Sequence, residues 1–189
     1  MKLKSCMTIV NPFNIKKSEV ESDYKLITPS CIKDSKIESF EYGSVDSDKE
    51  IHSKYFLVKD DILFQAKGNK SESILIEEDI ENLLPSTSYF ILRPDLTKIV
   101  PKYLQWILKT EVAEKYFEKN TSGATIKVIR KNILEDFDFN LPPLEEQKEF
   151  ATLIEAFEIE KKETEKYLKA KEELIERKIL SKYEVIIGG

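Results

Sequence analysis

The feature that most limits the fold is a long stretch near the C-terminus without helix-breaking residues. Residues 145–183 contain neither Pro nor Gly, and they follow the segment Leu141-Pro142-Pro143-Leu144. Proline suits the first turn of a helix, and Glu145 and Glu146 would favour the positive end of the helix dipole. A helix of roughly 40 residues is about 60 Å long. Because a small hydrophobic core cannot cover that length, we expect much of this helix to need a partner.

Apolar residues recur along the predicted helix at spacings that place them on one face. The members of this set, the helix stripe, are Phe150, Ile154, Phe157, Leu168, Ile175 and Ile179. Their seven-residue spacings are typical of coiled coils, although Lys161 and Lys171 interrupt the pattern. A partner helix would bury the stripe. The alternative is a single charged helix stabilised by pairs such as Glu158 and Lys162. We favour a partner, because the stripe would otherwise face water.

Residues 1–140 show a different pattern, which favours strands. Short apolar runs predict strands at residues 24–27, 55–58, 62–65, 73–76 and 89–92. The turn Lys59-Asp60-Asp61 would join the second and third of these strands. One helix is predicted to begin at Pro101 and to end near Asn120 and Gly123. The expected fold is therefore α+β, with a β-rich domain at residues 1–140 and a long coiled-coil-type helix at residues 141–187.

Charge and apolar content limit the class of protein. The 189 residues include 30 Lys and Arg against 35 Asp and Glu, a formal net charge of -5. An acidic chain is a poor general coat for nucleic acid, since phosphate affinity comes from cations. Residues 1–140 are nearly neutral, with 21 basic and 23 acidic side chains. The sequence contains no run of about 18 apolar residues and does not begin like a signal peptide, so we expect a cytoplasmic protein that does not span a membrane.

Residue types that support catalysis are sparse. His52 is the only histidine, and Cys6 and Cys31 are the only cysteines. They are too few for a typical zinc site or a disulfide framework, and there is no GxSxG nucleophile motif. Before the terminal Gly188-Gly189 the few glycines stand far apart, which argues against a phosphate-binding loop. We therefore expect no catalytic residue, no metal and no cofactor, and a nuclease acting alone is a remote alternative.

Several segments together resemble a known family. Residues 123–134, followed by 137–147, closely resemble the end of a target recognition domain in the specificity subunits of type I restriction-modification systems. In that family a Gly-Ser/Ala-Thr loop leads through a strand to Leu-Pro-Pro-Leu-Glu-Glu-Gln at the start of a long helix. Residues 57–64 and 101–117 are also similar to the family. The resemblance covers about residues 55–183.

The resemblance implies a non-catalytic DNA-recognition subunit. Such subunits direct methyltransferase (M) and restriction (R) subunits to a bipartite site in double-stranded DNA. Complete members carry two recognition domains and two long antiparallel helices, whereas this chain has one of each. A half-sized subunit would restore the arrangement by forming a homodimer through the helix stripe. Docking on an M subunit, a truncated remnant, and a coiled-coil adaptor that does not bind DNA are the alternatives.

Two loops are the candidate DNA contacts. Lys67-Gly68-Asn69-Lys70 combines two cations with an amide, and residues 121–125 place hydroxyl groups before further cations. We predict DNA contacts from Lys67, Asn69, Lys70, Thr121, Ser122, Lys127, Arg130 and Lys131. The alternative, on which the sequence does not decide, is that Gly68 and Gly123 are turn residues and the cations only face solvent.

Overall fold

A computed structural model describes residues 1–45, 50–68, 72–121 and 127–183 of the chain. The chain forms two compact units, of which the first is Met1–Lys148 and the second begins at Glu149. The helices are α1 (Pro101–Leu108), α2 (Glu111–Asn120), α3 (Lys131–Glu135) and α4 (Leu144–Tyr183). The strands are β1 (Met7–Val10), β2 (Lys16–Ser18), β3 (Tyr24–Ile27), β4 (Ile32–Lys33), β5 (Lys36–Ile37), β6 (Glu41–Ser44), β7 (Ile62–Gln65), β8 (Ser73–Leu75), β9 (Leu83–Pro85) and β10 (Tyr89–Pro94).

The first unit is built on two four-stranded sheets. One sheet has the antiparallel order β1-β10-β7-β8, and the other has the order β2-β6-β3-β9, in which β3 and β9 are parallel. Strand β7 is apolar on both faces: Phe64 packs in a core with residues of α1 and α2, and Leu63 packs in a second core with Ile27 and Leu83. A strand covered on both sides needs a continuous apolar run, as the sequence has here.

The predicted strand at residues 55–58 is wrong. Ser53–Tyr55 forms a short 3-10 turn, and the chain then runs through a turn in which Asp60 has a φ of 72°. The reason is Asp61, whose buried carboxylate accepts a hydrogen bond from the Val58 backbone N–H and two from Arg93, at 2.8 and 2.7 Å. These contacts shape the turn around Asp61. The hydrogen bonds that Arg93 donates to the Asp61 carboxylate raise the pKa of Arg93.

Asp61→Ala should therefore lower the free energy of unfolding by about 3 kcal/mol, as measured by urea denaturation. That value is at the low end for a broken buried ion pair, because Arg93 keeps 32% of its side chain exposed. The exposed Glu78→Ala is the matched control and should change stability by less than about 0.5 kcal/mol. A double-mutant cycle with Arg93→Ala checks the cause. Additive effects of the two substitutions would contradict the pairing.

The single helix predicted from Pro101 to Asn120 is two helices. Helix α1 ends at Leu108, and the Thr110 side chain accepts a hydrogen bond from the Ala113 N–H, at 3.4 Å, and caps α2. Threonine is a strong N-cap because its oxygen satisfies an N–H that has no partner within the helix. Apolar residues at helical spacing continue across this break, so periodicity alone does not show it.

The long C-terminal helix and the α+β class are confirmed. Helix α4 runs for 40 residues. Its first turn belongs to the first unit and the remainder to the second, whereas the predicted functional division between residues 140 and 141 stays a prediction. Within the described residues, no helix is long and apolar enough to cross a membrane, and no cluster of three or more His, Cys, Asp or Glu side chains is arranged to hold a metal ion.

Candidate nucleic-acid interface

The structure pairs two segments that stand about 60 residues apart in the sequence. The Ile129 N–H donates to the carbonyl oxygen of Ala66 at 2.8 Å, and the Gly68 N–H donates to that of Lys127 at 3.2 Å. Lys67 and Val128 face each other in this short antiparallel bridge. The bridge continues from β7, so one end of the first sheet carries cations from both segments. We call Lys67, Lys127, Arg130 and Lys131 the paired-loop surface.

Buried and exposed residues alternate where this surface is attached. Ile129 is buried in the core that contains Phe64 and Phe117, which fixes the backbone on either side of it. Its neighbours Val128 and Arg130 are exposed, as are Lys67 and Lys127. Arg130 precedes the first residue of α3. One buried isoleucine thus holds a short backbone segment whose other side chains face solvent, as a contact surface for a large ligand requires.

Two of the four cations lie beside carboxylates. Lys127 is 3.0 Å from Glu118, near the end of α2, and Lys131 is 3.6 Å from Glu135. Within the described part of the chain, the side chains of Lys67 and Arg130 have no ion-pair partner. Exposed ion pairs contribute little, so a phosphate group can compete for Lys127 and Lys131. The pairing of Lys127 with Glu118 was not predicted from the sequence. The only indication of it there is that an acidic residue stands near the end of the helix that precedes the second loop.

The remaining predicted contacts have different placements. Asn69, Lys70 and Ser122 lie outside the described residues. Thr121 is partly exposed, and its hydroxyl donates a hydrogen bond to the carbonyl oxygen of Phe117. That hydrogen bond satisfies a backbone carbonyl group in the last turn of α2. The structure therefore places Lys67, Lys127, Arg130 and Lys131 on two paired segments or directly after them, and gives Thr121 a hydrogen bond within its own segment.

The helix stripe is exposed over most of its length. Phe150, Phe157, Leu168, Ile175 and Ile179 have between 38 and 62% of their surface accessible, whereas Ile154 is buried at 8%. At 3.6 residues per turn, the five exposed members point within about 20° of the direction of Leu168. The sequence prediction omitted other exposed apolar residues of α4, among them Leu153, Ile159 and Leu180. The stripe thus gives α4 an apolar face in two parts, at residues 150–157 and 168–179, with Lys161 between them.

Comparison with known proteins identifies the family. A model of the type I restriction modification DNA specificity domain matches residues 1–174. The chain belongs to this family. A protein of Methanocaldococcus jannaschii, named as the MjaX type I restriction enzyme specificity subunit, is 32% identical over 165 residues, which cover 82% of this chain and 38% of that protein. The resemblance proposed from the sequence is confirmed.

Solved structures show the fold of the specificity domain. The HsdS subunit from Thermoanaerobacter tengcongensis matches 95% of the chain with a TM-score of 0.67 and 16% identity. The S subunit from M. genitalium matches 84% with a TM-score of 0.58 and 17% identity. A chain from a structure on complex assembly in a type I restriction-modification system matches 100% with a TM-score of 0.72 and 16% identity. The specificity domain covers 46, 38 and 49% of these three chains, so it spans about half or less of the length of its relatives.

Proposed function

We propose that this specificity domain recognises a sequence in double-stranded DNA through the paired-loop surface, and that it carries no catalytic group of its own. The observation that carries the proposal is the backbone pairing of residues 66–68 with residues 127–129. This pairing brings the segment that carries Lys67 beside the segment that carries Lys127 and leads into Arg130 and Lys131, in a member of a DNA specificity family. Residues 1–140, which are nearly neutral in sum, thereby gain a local site for phosphate.

The four cations are suited to different contacts. The lysines are point charges that suit backbone phosphates, which set the register of a protein on DNA. Arg130 can donate two parallel hydrogen bonds to O6 and N7 of a guanine in the major groove. Asn69 stays a proposed contact to adenine. Methylation and cleavage would be performed by M and R subunits, which the specificity domain would direct to the site.

The occupant of the helix stripe, on this proposal, is a second copy of the chain. Two copies would supply the two recognition domains and the two long helices of relatives that are about twice as long. A symmetric dimer places the same apolar face on both partners, which suits a straight stripe of five exposed residues. Two copies would bring two paired-loop surfaces, one from each first unit, and these would contact two separate half-sites.

Selection of bound sequences from random duplexes tests the proposed function. The full chain is used alone and together with the methyltransferase subunit of its own system. We expect enrichment of a two-part motif with a fixed gap. If neither sample enriches any sequence, DNA recognition by this chain is refuted and the adaptor alternative is favoured, since the exposed stripe of α4 could then serve protein contacts alone. Cleavage of duplex by the purified chain would contradict the non-catalytic assignment.

A further inference from the structure

Gln147 is a fully buried polar residue at the start of the long helix. Its side chain has no exposed surface and forms three hydrogen bonds. The amide nitrogen donates to the carbonyl oxygens of Lys98, at 3.0 Å, and Pro142, at 2.8 Å, and the amide oxygen accepts from the Val100 N–H at 2.9 Å. An amide is suited to this position because it combines a donor group and an acceptor in one side chain.

The groups that Gln147 contacts are themselves fixed. Lys98 belongs to a turn in which Asp95 accepts hydrogen bonds from the backbone N–H and the hydroxyl of Thr97 and pairs with the Lys98 ammonium at 2.8 Å. The Asp95 N–H donates to the carbonyl oxygen of Cys6, which immediately precedes β1. Through these bonds Gln147 connects the first turn of α4 to the loop before α1 and to the edge of the first sheet.

We propose that Gln147 is a positioning residue that holds the first turn of α4 on the first unit. Gln147 thereby sets how strongly the protein discriminates between DNA sites that differ in the gap between their two half-sites. The inference rests on the proposed function. A helical spacer measures distance only if its end is firmly attached to the domain that reads DNA. The three bonds attach that end, and all four residues involved lie within the first unit. Gln147 itself does not contact DNA.

The test compares wild type with Gln147→Met on duplexes whose two half-sites are separated by gaps that increase by one base pair at a time. Methionine has a similar length but forms none of the three hydrogen bonds. Each added base pair moves one half-site by about 3.4 Å and rotates it by about 35°. We expect wild type to favour one gap by roughly tenfold over its neighbours, and Gln147→Met to reduce that preference to less than about threefold. Affinity for a single half-site should stay within about twofold.

Two controls separate positioning from general stability. Glu146→Gln changes the exposed neighbour and should keep the wild-type gap profile. Ile91→Val lowers stability within the sheet core without touching the junction and should also keep that profile. The inference is overturned if Gln147→Met retains a sharp preference for one gap, or if it loses single half-site binding along with the gap preference. Absence of any sequence preference in wild type would instead refute the proposed function.

Discussion

Replacing Lys67, Lys127 and Arg130 together with glutamate should weaken binding to the preferred duplex by about 100-fold to 1,000-fold. A hydrogen-bonded contact contributes about 1–1.5 kcal/mol net, so three contacts contribute about 3–4.5 kcal/mol, and every 1.4 kcal/mol is about tenfold in affinity. The salt dependence provides a second readout. Loss of three phosphate contacts should make the slope of log K against log salt shallower by about three, and by about two if Arg130 contacts a base instead. Fluorescence anisotropy titrations at several salt concentrations measure both quantities.

A matched control has the same change in charge at another place on the first unit. Lys33, Lys36 and Lys59 are exposed and lie outside the paired-loop surface. Their triple replacement with glutamate should weaken binding by less than about tenfold, through the loss of long-range attraction alone. If the control loses as much affinity as the paired-loop variant, overall charge governs binding and the proposed location of the interface is wrong. Circular dichroism would show that both variants are folded.

The sequence was sufficient for features that depend on neighbouring residues. Helix α4 follows from a run without Pro or Gly after two prolines, and a buried strand such as β7 follows from a continuous apolar run. The wrong strand at residues 55–58 has a distant cause: Asp61 turns inward to meet Arg93, which is 32 residues away. The missed break at Thr110 has a different cause. A threonine that can cap a helix is visible in the sequence, but the apolar periodicity that continues on both sides of it favoured a single helix.

The candidate site could be predicted only in part, because it too depends on contacts between residues that are distant in the sequence. Gly68 and the cations of both loops indicated two separate places where DNA could be contacted. Their backbone pairing depends on Ile129 entering the core beside Phe64 and Phe117, which no local pattern reveals. The structural role of Gln147 was equally hidden, because its three bonds reach Lys98 and Val100 on a different segment. Contacts between distant segments determine which of the exposed cations can act together.

Replacing Leu168 and Ile175 of α4 together with glutamate should convert a dimer of the chain into a monomer. Burying a leucine or isoleucine contributes about 1.5–3 kcal/mol, and a symmetric dimer loses four such side chains. Because both side chains are already about half buried in the single chain, the dimer should weaken by about 3–6 kcal/mol, or roughly 100-fold to 10,000-fold. Sedimentation equilibrium at micromolar concentration measures the change. The monomer should keep its affinity for one half-site and lose the added affinity for two.

The opposite face of the same helix provides the control for this prediction. Ile159 and Ala170 point about 180° and 200° away from Leu168, and both are exposed. Their double replacement with glutamate adds the same charge to the same helix, so a stripe-mediated dimer should survive it. A control that also becomes monomeric would show that charge rather than the stripe decides association. If wild type itself is a monomer at this concentration, a second copy is not the occupant, and the stripe would then have to meet a different protein.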